Sequence, residues 1–437
     1  MNALADNVLR PLEQISVYVH IPFCTTRCRY CDFYTETGRS SRVIGRTLRG
    51  IVEEAGAFSA ALDRPTVVTV YIGGGTPSVI PTTELEPFLG ALRAALGIET
   101  PPAEWTFEAN PETITADRLD VLSGSGVDRL SIGIQTFDDT ALALLGRRAR
   151  ADVTRRAIGV VSERWRGDVT VDIMTGLPGQ TKAGVLRDVD EVVRMAPSHV
   201  SVYSLTVEQR TPLARMVASG EITLPDVDQR DALWFTADAA LRRAGYDAYE
   251  VSNYARDGKV AVHNTRYWEM KPYLGLGPGA VGTLPIAASE EPRTDDDDAS
   301  GRAIVAVRLT NPDLTRYTST AAAARSYATE LITARTLFFE HFLTGLRTDR
   351  GVSIANLHSV FGVDPTDLIE TLRHAWSGFP ELRHTRLASS NASIALTPRA
   401  RLFLNSYIPD LDDVLRKVPF GRVTWPAGAW PADHLTT

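Results

Sequence analysis

The chain is poor in cysteine. Cys24, Cys28 and Cys31 are all it has in 437 residues. Three cannot all pair within one chain, so a disulfide framework is excluded. Long apolar runs are also missing. No stretch approaches the roughly 18 apolar residues of a membrane helix, and Met1–Arg10 has no apolar run of signal-peptide length. Nor is there a surplus of positive charge. Lys plus Arg number 46 against 53 Asp plus Glu, a formal net charge of −7, which argues against a nucleic-acid partner. No repeat of short fixed period appears. Free thiols without a signal segment imply a cytoplasmic location. A membrane-associated partner and a homodimer remain compatible with the sequence.

What is present is ordinary in bulk and unusual in one place. Hydrophobic residues make up 44% and charged residues 23%, as in a globular protein long enough for one large and one smaller domain. The unusual place is Tyr18–Tyr34, where the cysteines fall as C-x₃-C-x₂-C. Three thiolates on one loop suit a cubane iron–sulfur cluster, which usually takes four and here would keep one iron open. A Cys₃His zinc site using His20 is an alternative. Buried free thiols are another.

Around this loop, strands and helices alternate. Strands are predicted at 16–21, 67–72, 105–109, 128–135, 169–174 and 200–205, each followed by helix. On pattern alone an open doubly wound sheet fits as well as a barrel. The composition changes at 285–300, where four aspartates end at Asp298; this reads as an acidic linker or loop at 286–300. It divides residues 1–285 from a C-terminal unit of 301–437. There a helix is expected over 321–346, then two shorter helices and a hairpin near 383–396. Three helices with a two-stranded wing are winged-helix-like.

Polar residues gather at predicted strand ends. Gly73-Gly74-Gly75-Thr76-Pro77 follows a strand and lacks the Lys-Ser/Thr of a phosphate loop. It suits a tight turn or close backbone approach to a ligand. Glu108, Gln135 and Asp172 end otherwise apolar strands, where an acid is costly unless it is partnered. Further on stands His263-Asn264-Thr265-Arg266-Tyr267-Trp268. A histidine among aromatics is either packed and hydrogen-bonded or a metal ligand.

The cysteine spacing, with Tyr30 before Cys31, resembles the radical S-adenosylmethionine (SAM) superfamily. The wording His20-Ile21-Pro22-Phe23-Cys24 resembles the branch holding oxygen-independent coproporphyrinogen III oxidase and the HemW-type heme chaperones. The likeness covers most of 16–282 and, more weakly, 340–351. It implies an α/β fold: a partial (β/α)₆ TIM-like barrel with a smaller C-terminal winged-helix-like α+β domain. It implies a [4Fe–4S] cluster on Cys24, Cys28 and Cys31, with SAM chelating the open iron. An electron from the cluster would cleave SAM to methionine and a 5′-deoxyadenosyl radical. Tyr18, Gly74, Gly75, Thr76, Glu108, Gln135, Arg147 and Asp172 match the branch's SAM-contacting positions.

Within the branch, the oxidase pattern has a fourth cysteine where this chain has Phe33. The H-N-x-x-Y-W wording resembles the chaperones, in which the histidine is implicated in heme binding, so His263 is the implied heme ligand. The implied partners are heme, recipient hemoproteins (respiratory ones among them) and a reducing electron donor. Whether SAM is turned over stays open. Porphyrinogen oxidation, a non-catalytic iron–sulfur module and a paralogue with another substrate remain alternatives. Two departures bear on this: Ala149 and Val281 stand where the family often has histidine.

Overall fold

The computed structural model describes residues 9–286 and 303–376, and beyond them 386–387, 393–397, 400–401, 404–416 and 418. All six expected strands form. β1 spans Gln14–Ile21 and leads into a short ladder of β2 (Phe23–Cys24) with β3 (Glu36–Thr37). β4 (Thr66–Gly74), β5 (Glu104–Ala109), β6 (Arg129–Gln135), β7 (Asp168–Thr175) and β8 (His199–Ser204) follow. β1 and β4 to β8 run parallel in one sheet. Helices Ser41–Ala61, Thr82–Ala95, Ala116–Gly124, Ala151–Arg164 and Lys182–Met195 connect them. This is the (β/α)₆ arrangement of a partial barrel.

The strands have two different faces. In β5, Trp105, Phe107 and Ala109 join the apolar core, while Thr106 and Glu108 line a cavity. β6 splits the same way, with Leu130, Ile132 and Ile134 outside and Arg129, Ser131 and Gly133 inside. Period-two alternation therefore buries one apolar face under helices and leaves a polar lumen.

The sheet continues past six strands. β11 (Tyr273–Leu276) lies parallel to β1, and β12 (Val281–Pro285), β13 (Ile304–Thr310) and β14 (Ala328–Thr333) extend that edge antiparallel. On the other edge stand β10 (Asn253–Ala255) and β9 (Asp247–Ala248). The helix expected over 321–346 is thus strand over Ala328–Thr333. Thr329, Ile332 and Thr333 are β-branched and pair with β13, which overrides the helix propensity of the alanines before them. Helix begins only at Ala334 and ends at Gly345.

The acidic segment lies outside the described residues from 287 to 300. β13 and β14, on its far side, belong to the large sheet, and Val305, Ala306 and Ile332 contribute to a second apolar cluster reaching Val418. That cluster holds helices Ala334–Gly345, Ile354–Phe361, Pro365–Trp376 and Leu404–Leu415. Beside it β15 (Val352–Ser353), β16 (Arg386–Leu387) and β17 (Ser393–Ala395) form a small sheet in the order β15-β17-β16. This is the winged-helix-like unit. Residues 383–385 of the expected hairpin lie outside the described set.

One buried acid ties the halves of the large sheet together. Glu54, on the first long helix, accepts hydrogen bonds from Gly277 N–H (2.9 Å), the Tyr317 hydroxyl (2.7 Å) and the Tyr327 hydroxyl (3.0 Å). Arg325 stands 3.8 Å away. The clasp fixes the turn at Gly277, beside the second cavity described below.

Candidate functional site

The cysteine loop is docked over the carboxyl ends of the strands by backbone hydrogen bonds. Gly75 N–H donates to Ile21 O, Thr76 N–H to Phe23 O and Arg29 N–H to Leu145 O, at 2.8, 2.8 and 2.9 Å. Beneath it lies a cavity of about 360 Å³. Cys24, Cys28, Cys31, Gly74, Gly75, Thr76, Glu108, Gln135, Arg147 and Asp172 all line it. Ten of the sequence-derived site residues are thus brought to one place, while Tyr18 and His263 are not among its lining residues.

The glycine run is required here by space. Gly74 has φ +107°, and a Cβ on it would come within 2.3 Å of the His20 ring. On Gly75 a Cβ would stand 2.8 Å from the Ile21 and Phe23 carbonyl oxygens. Gln135 is held at φ 73°, where β6 shifts register against β7; such strain recurs at binding sites.

The thiols are half-buried. Cys24 Sγ lies 3.5 Å from Thr76 Oγ1, and Arg147 Nη1 donates to Cys28 Sγ at 3.8 Å. Arg147 Nη2 is fixed by Asn110 Oδ1 at 3.1 Å and by Gly133 O. Burial pushes the Cys24 and Cys31 thiols up, and their neighbouring thiols add to this. Among the described residues, no three His, Cys, Asp or Glu side chains converge closely enough for one metal ion. Thiols spread around one cavity suit a cluster, where different irons take different cysteines. His20 has both ring nitrogens engaged, by the Tyr18 hydroxyl and by Tyr34 O, each at 2.9 Å. The zinc alternative therefore lacks its fourth ligand.

Two carboxylates face the same cavity with no ion-pair partner among the described residues. Glu108 Oε1 accepts from the Tyr71 hydroxyl at 2.6 Å and Oε2 from Gly74 N–H at 3.1 Å. Burial pushes it up to about 7. Asp172 is raised by burial to about 6 and is hydrogen-bonded by Ser201 and Ser131. Buried acids in this state favour a cationic ligand, which repays their desolvation.

A second, aromatic cavity of about 650 Å³ abuts the first. Tyr18, His20, Tyr34, His263, Tyr267, Trp268 and Tyr273 line it, and Val281 stands on its wall. Phe33, Tyr71 and Asn264 line both cavities. His263 lies on the short helix Val262–Trp268 and is 1% exposed. Its Nδ1 meets Thr69 Oγ1 at 2.8 Å. The Thr69 hydroxyl donates onward to Ser16 Oγ at 3.0 Å, and Arg266 Nε donates to the same oxygen at 2.6 Å. With its own proton committed, Thr69 accepts from His263. The imidazole therefore carries its proton on Nδ1, and Nε2 is a buried lone pair with no hydrogen-bond partner. Burial lowers His263 to about 3, which keeps it neutral.

Sequence reasoning missed Tyr71, which looked like one more residue of an apolar strand; it marked the strand end Glu108-Ala109-Asn110-Pro111 but gave Asn110 no role. Ala149 is buried.

A parallel β/α barrel with cysteines, glycine turn and carboxylates at the strand ends defines a radical SAM protein, and a family model for the radical SAM superfamily matches residues 18–192. The heme chaperone HemW of Mycobacterium tuberculosis is 38% identical over 283 residues, 63% of this chain and 71% of that one. The HemW of Escherichia coli is 35% identical over 276 residues, 62% and 71% of the two chains. A bovine mitochondrial radical SAM domain-containing protein is 38% identical over 272 residues, but the match spans only 61% of its length. In fold, the chain is similar to the Escherichia coli coproporphyrinogen III oxidase, a radical SAM enzyme. The TM-score is 0.74 at 19% identity, over 95% of this chain and 92% of the other. The chain belongs to the HemW family of radical SAM proteins.

Proposed function

We propose that this chain is a heme chaperone that takes heme in the aromatic cavity, with His263 as iron ligand, and delivers it to recipient hemoproteins. The observation that carries the reading is the His263 tautomer. A neutral imidazole with Nδ1–H anchored and Nε2 bare is the form a metal needs. The cavity's size lies in the range of ligand pockets, and its aromatic walls suit a porphyrin face.

In this reading Cys24, Cys28 and Cys31 hold a [4Fe–4S] cluster, and the neighbouring cavity holds SAM. When bound, the pair supplies one-electron chemistry at the strand ends. Glu108 and Asp172 balance the positive charge of SAM. Gly74 and Gly75 allow its close approach to the backbone. Arg147, fixed by Asn110 and Gly133 O, offers a cation to its carboxylate. Thr76 and Gln135 complete the polar lining. Tyr18, expected with this set, serves the other cavity by fixing the His20 ring. Phe33 stands where the oxidase pattern has its fourth cysteine, which favours heme handling over porphyrinogen oxidation.

The test is hemin added to anaerobically reconstituted protein. A Soret band that His263→Ala alters is expected; an identical spectrum removes His263 as ligand. Replacing Cys24, Cys28 or Cys31 by alanine should abolish the broad cluster absorbance. Protoporphyrinogen accumulating from coproporphyrinogen III with reductant and SAM would replace the chaperone by the oxidase.

A further inference from the structure

Tyr71 touches a proposed binding group in each cavity. Its hydroxyl donates to Glu108 Oε1 at 2.6 Å in the first. Its ring lies 5.2 Å from the His263 ring, tilted by 32°, in the second. It reaches both because its side chain lines both cavities. Thr69 and Tyr71 are successive inward positions on β4, and the first accepts from His263 while the second packs on it. The phenol is rigid, so a shift of its hydroxyl end is a shift of its ring.

We infer that Tyr71 couples the two cavities, so that SAM bound in the first strengthens heme binding in the second. The inference rests on the chaperone reading. Its sign follows from charge. A cationic ligand beside Glu108 keeps the carboxylate ionised, and an ionised acceptor holds the Tyr71 hydroxyl more firmly than a neutral one. A fixed phenol holds the His263 ring in its present place, so less ordering remains when heme binds. Linkage then requires that heme strengthen SAM binding by the same factor.

The experiment measures hemin affinity by Soret titration with and without SAM, and SAM affinity by calorimetry with and without hemin, in the cluster-loaded protein. In the wild type each ligand should tighten the other by the same factor, about fivefold or more. In Tyr71→Phe, which keeps the ring and drops the hydroxyl, the factor should fall to near one, whatever happens to the separate affinities. Glu108→Gln, which keeps an acceptor but not its charge, should reduce the factor independently should the first variant not fold. Two ligands that bind the wild type without affecting each other overturn the coupling and leave the chaperone reading intact. So does a full factor in Tyr71→Phe. A wild type that takes up no hemin, or whose Soret band ignores His263→Ala, overturns the chaperone reading and the coupling with it.

Discussion

Thr69 and His263 stand 194 positions apart, and their side chains meet at 2.8 Å in the barrel wall. The threonine spends its own proton on Ser16, so it can only accept. Thr69→Val keeps the shape and deletes the acceptor. A buried Nδ1–H without a partner costs about 1–3 kcal/mol. Loss of such an outer partner weakens metal affinity about 10–100-fold. Hemin titration should show that loss in Thr69→Val and recovery in Thr69→Ser. Equal affinities in all three would mean that Nε2 is not the iron-binding atom.

Helix Val262–Trp268 owes its place to an ion pair inside the barrel. Glu104 Oε2 accepts from Val262 N–H at 2.8 Å and Oε1 from His263 N–H at 3.1 Å. The same carboxylate is held by Arg129 Nε at 2.9 Å, with side chains 3% and 5% exposed. Arg129 also donates to Val260 O at 3.1 Å. Glu104→Gln takes the nearer, fully buried acid from the guanidinium and leaves it only Asp168, at 3.6 Å. Breaking a buried pair from one side costs about 3–5 kcal/mol. Chemical denaturation should show a loss of this size, and hemin affinity should fall with it; Glu36→Gln, which breaks a surface pair with Arg39, should cost at most about 1 kcal/mol.

These two relations also mark how far the sequence could be read. Glu108, Gln135 and Asp172 stood out because each ended an apolar strand, and strand ends are where a barrel keeps its chemistry. The cysteine loop stood out by spacing alone. Glu104 did not, because a charged residue at the start of a strand looks exposed until the lumen closes over it. Tyr18 is grouped with the SAM residues by the family resemblance alone. Helix Val262–Trp268 then packs against Thr69, Tyr71 and Glu104 and helps line a second cavity, which no local pattern announces. The helix expected over 321–346 failed for the same reason: Ala328–Thr333 within it pairs with β13, a partner invisible to periodicity.

Gly74 tests the crowding between the cavities. At φ +107°, with His20 Nδ1 2.3 Å from where a Cβ would stand, alanine has neither backbone nor space. Gly74→Ala should destabilise by at least the roughly 1–3 kcal/mol of a strained backbone. It should also weaken SAM binding, because Gly74 N–H donates to Glu108. Gly90, inside helix Thr82–Ala95, has nothing within 4 Å of its Cβ position. Gly90→Ala should instead stabilise by about 0.4–1 kcal/mol. Thermal unfolding of the two variants separates crowding from a general intolerance of glycine replacement.

The buried carboxylates give SAM binding a pH dependence whose sign can be worked out. Burial raises Glu108 to about 7 and Asp172 to about 6. Facing Glu108 are Tyr71 and Gly74 on β4, which hydrogen-bond it, and Asp172 on β7, whose charge adds to the rise. Arg147 lowers Asp172 only partly. The folded values lie above ordinary carboxylate values of about 4, so the native state holds more protons than the unfolded one between about pH 4 and pH 7. Stability of the ligand-free protein therefore falls as pH rises through that window. A cation binds the ionised form, so SAM affinity rises over the same window, by at most about tenfold per pH unit for each proton released. Calorimetry from about pH 5 to about pH 8 should show this rise in the wild type. Glu108→Gln should bind SAM more weakly at high pH and keep only the lower-lying part of the profile, from Asp172. A flat wild-type profile would mean that neither carboxylate meets the cation.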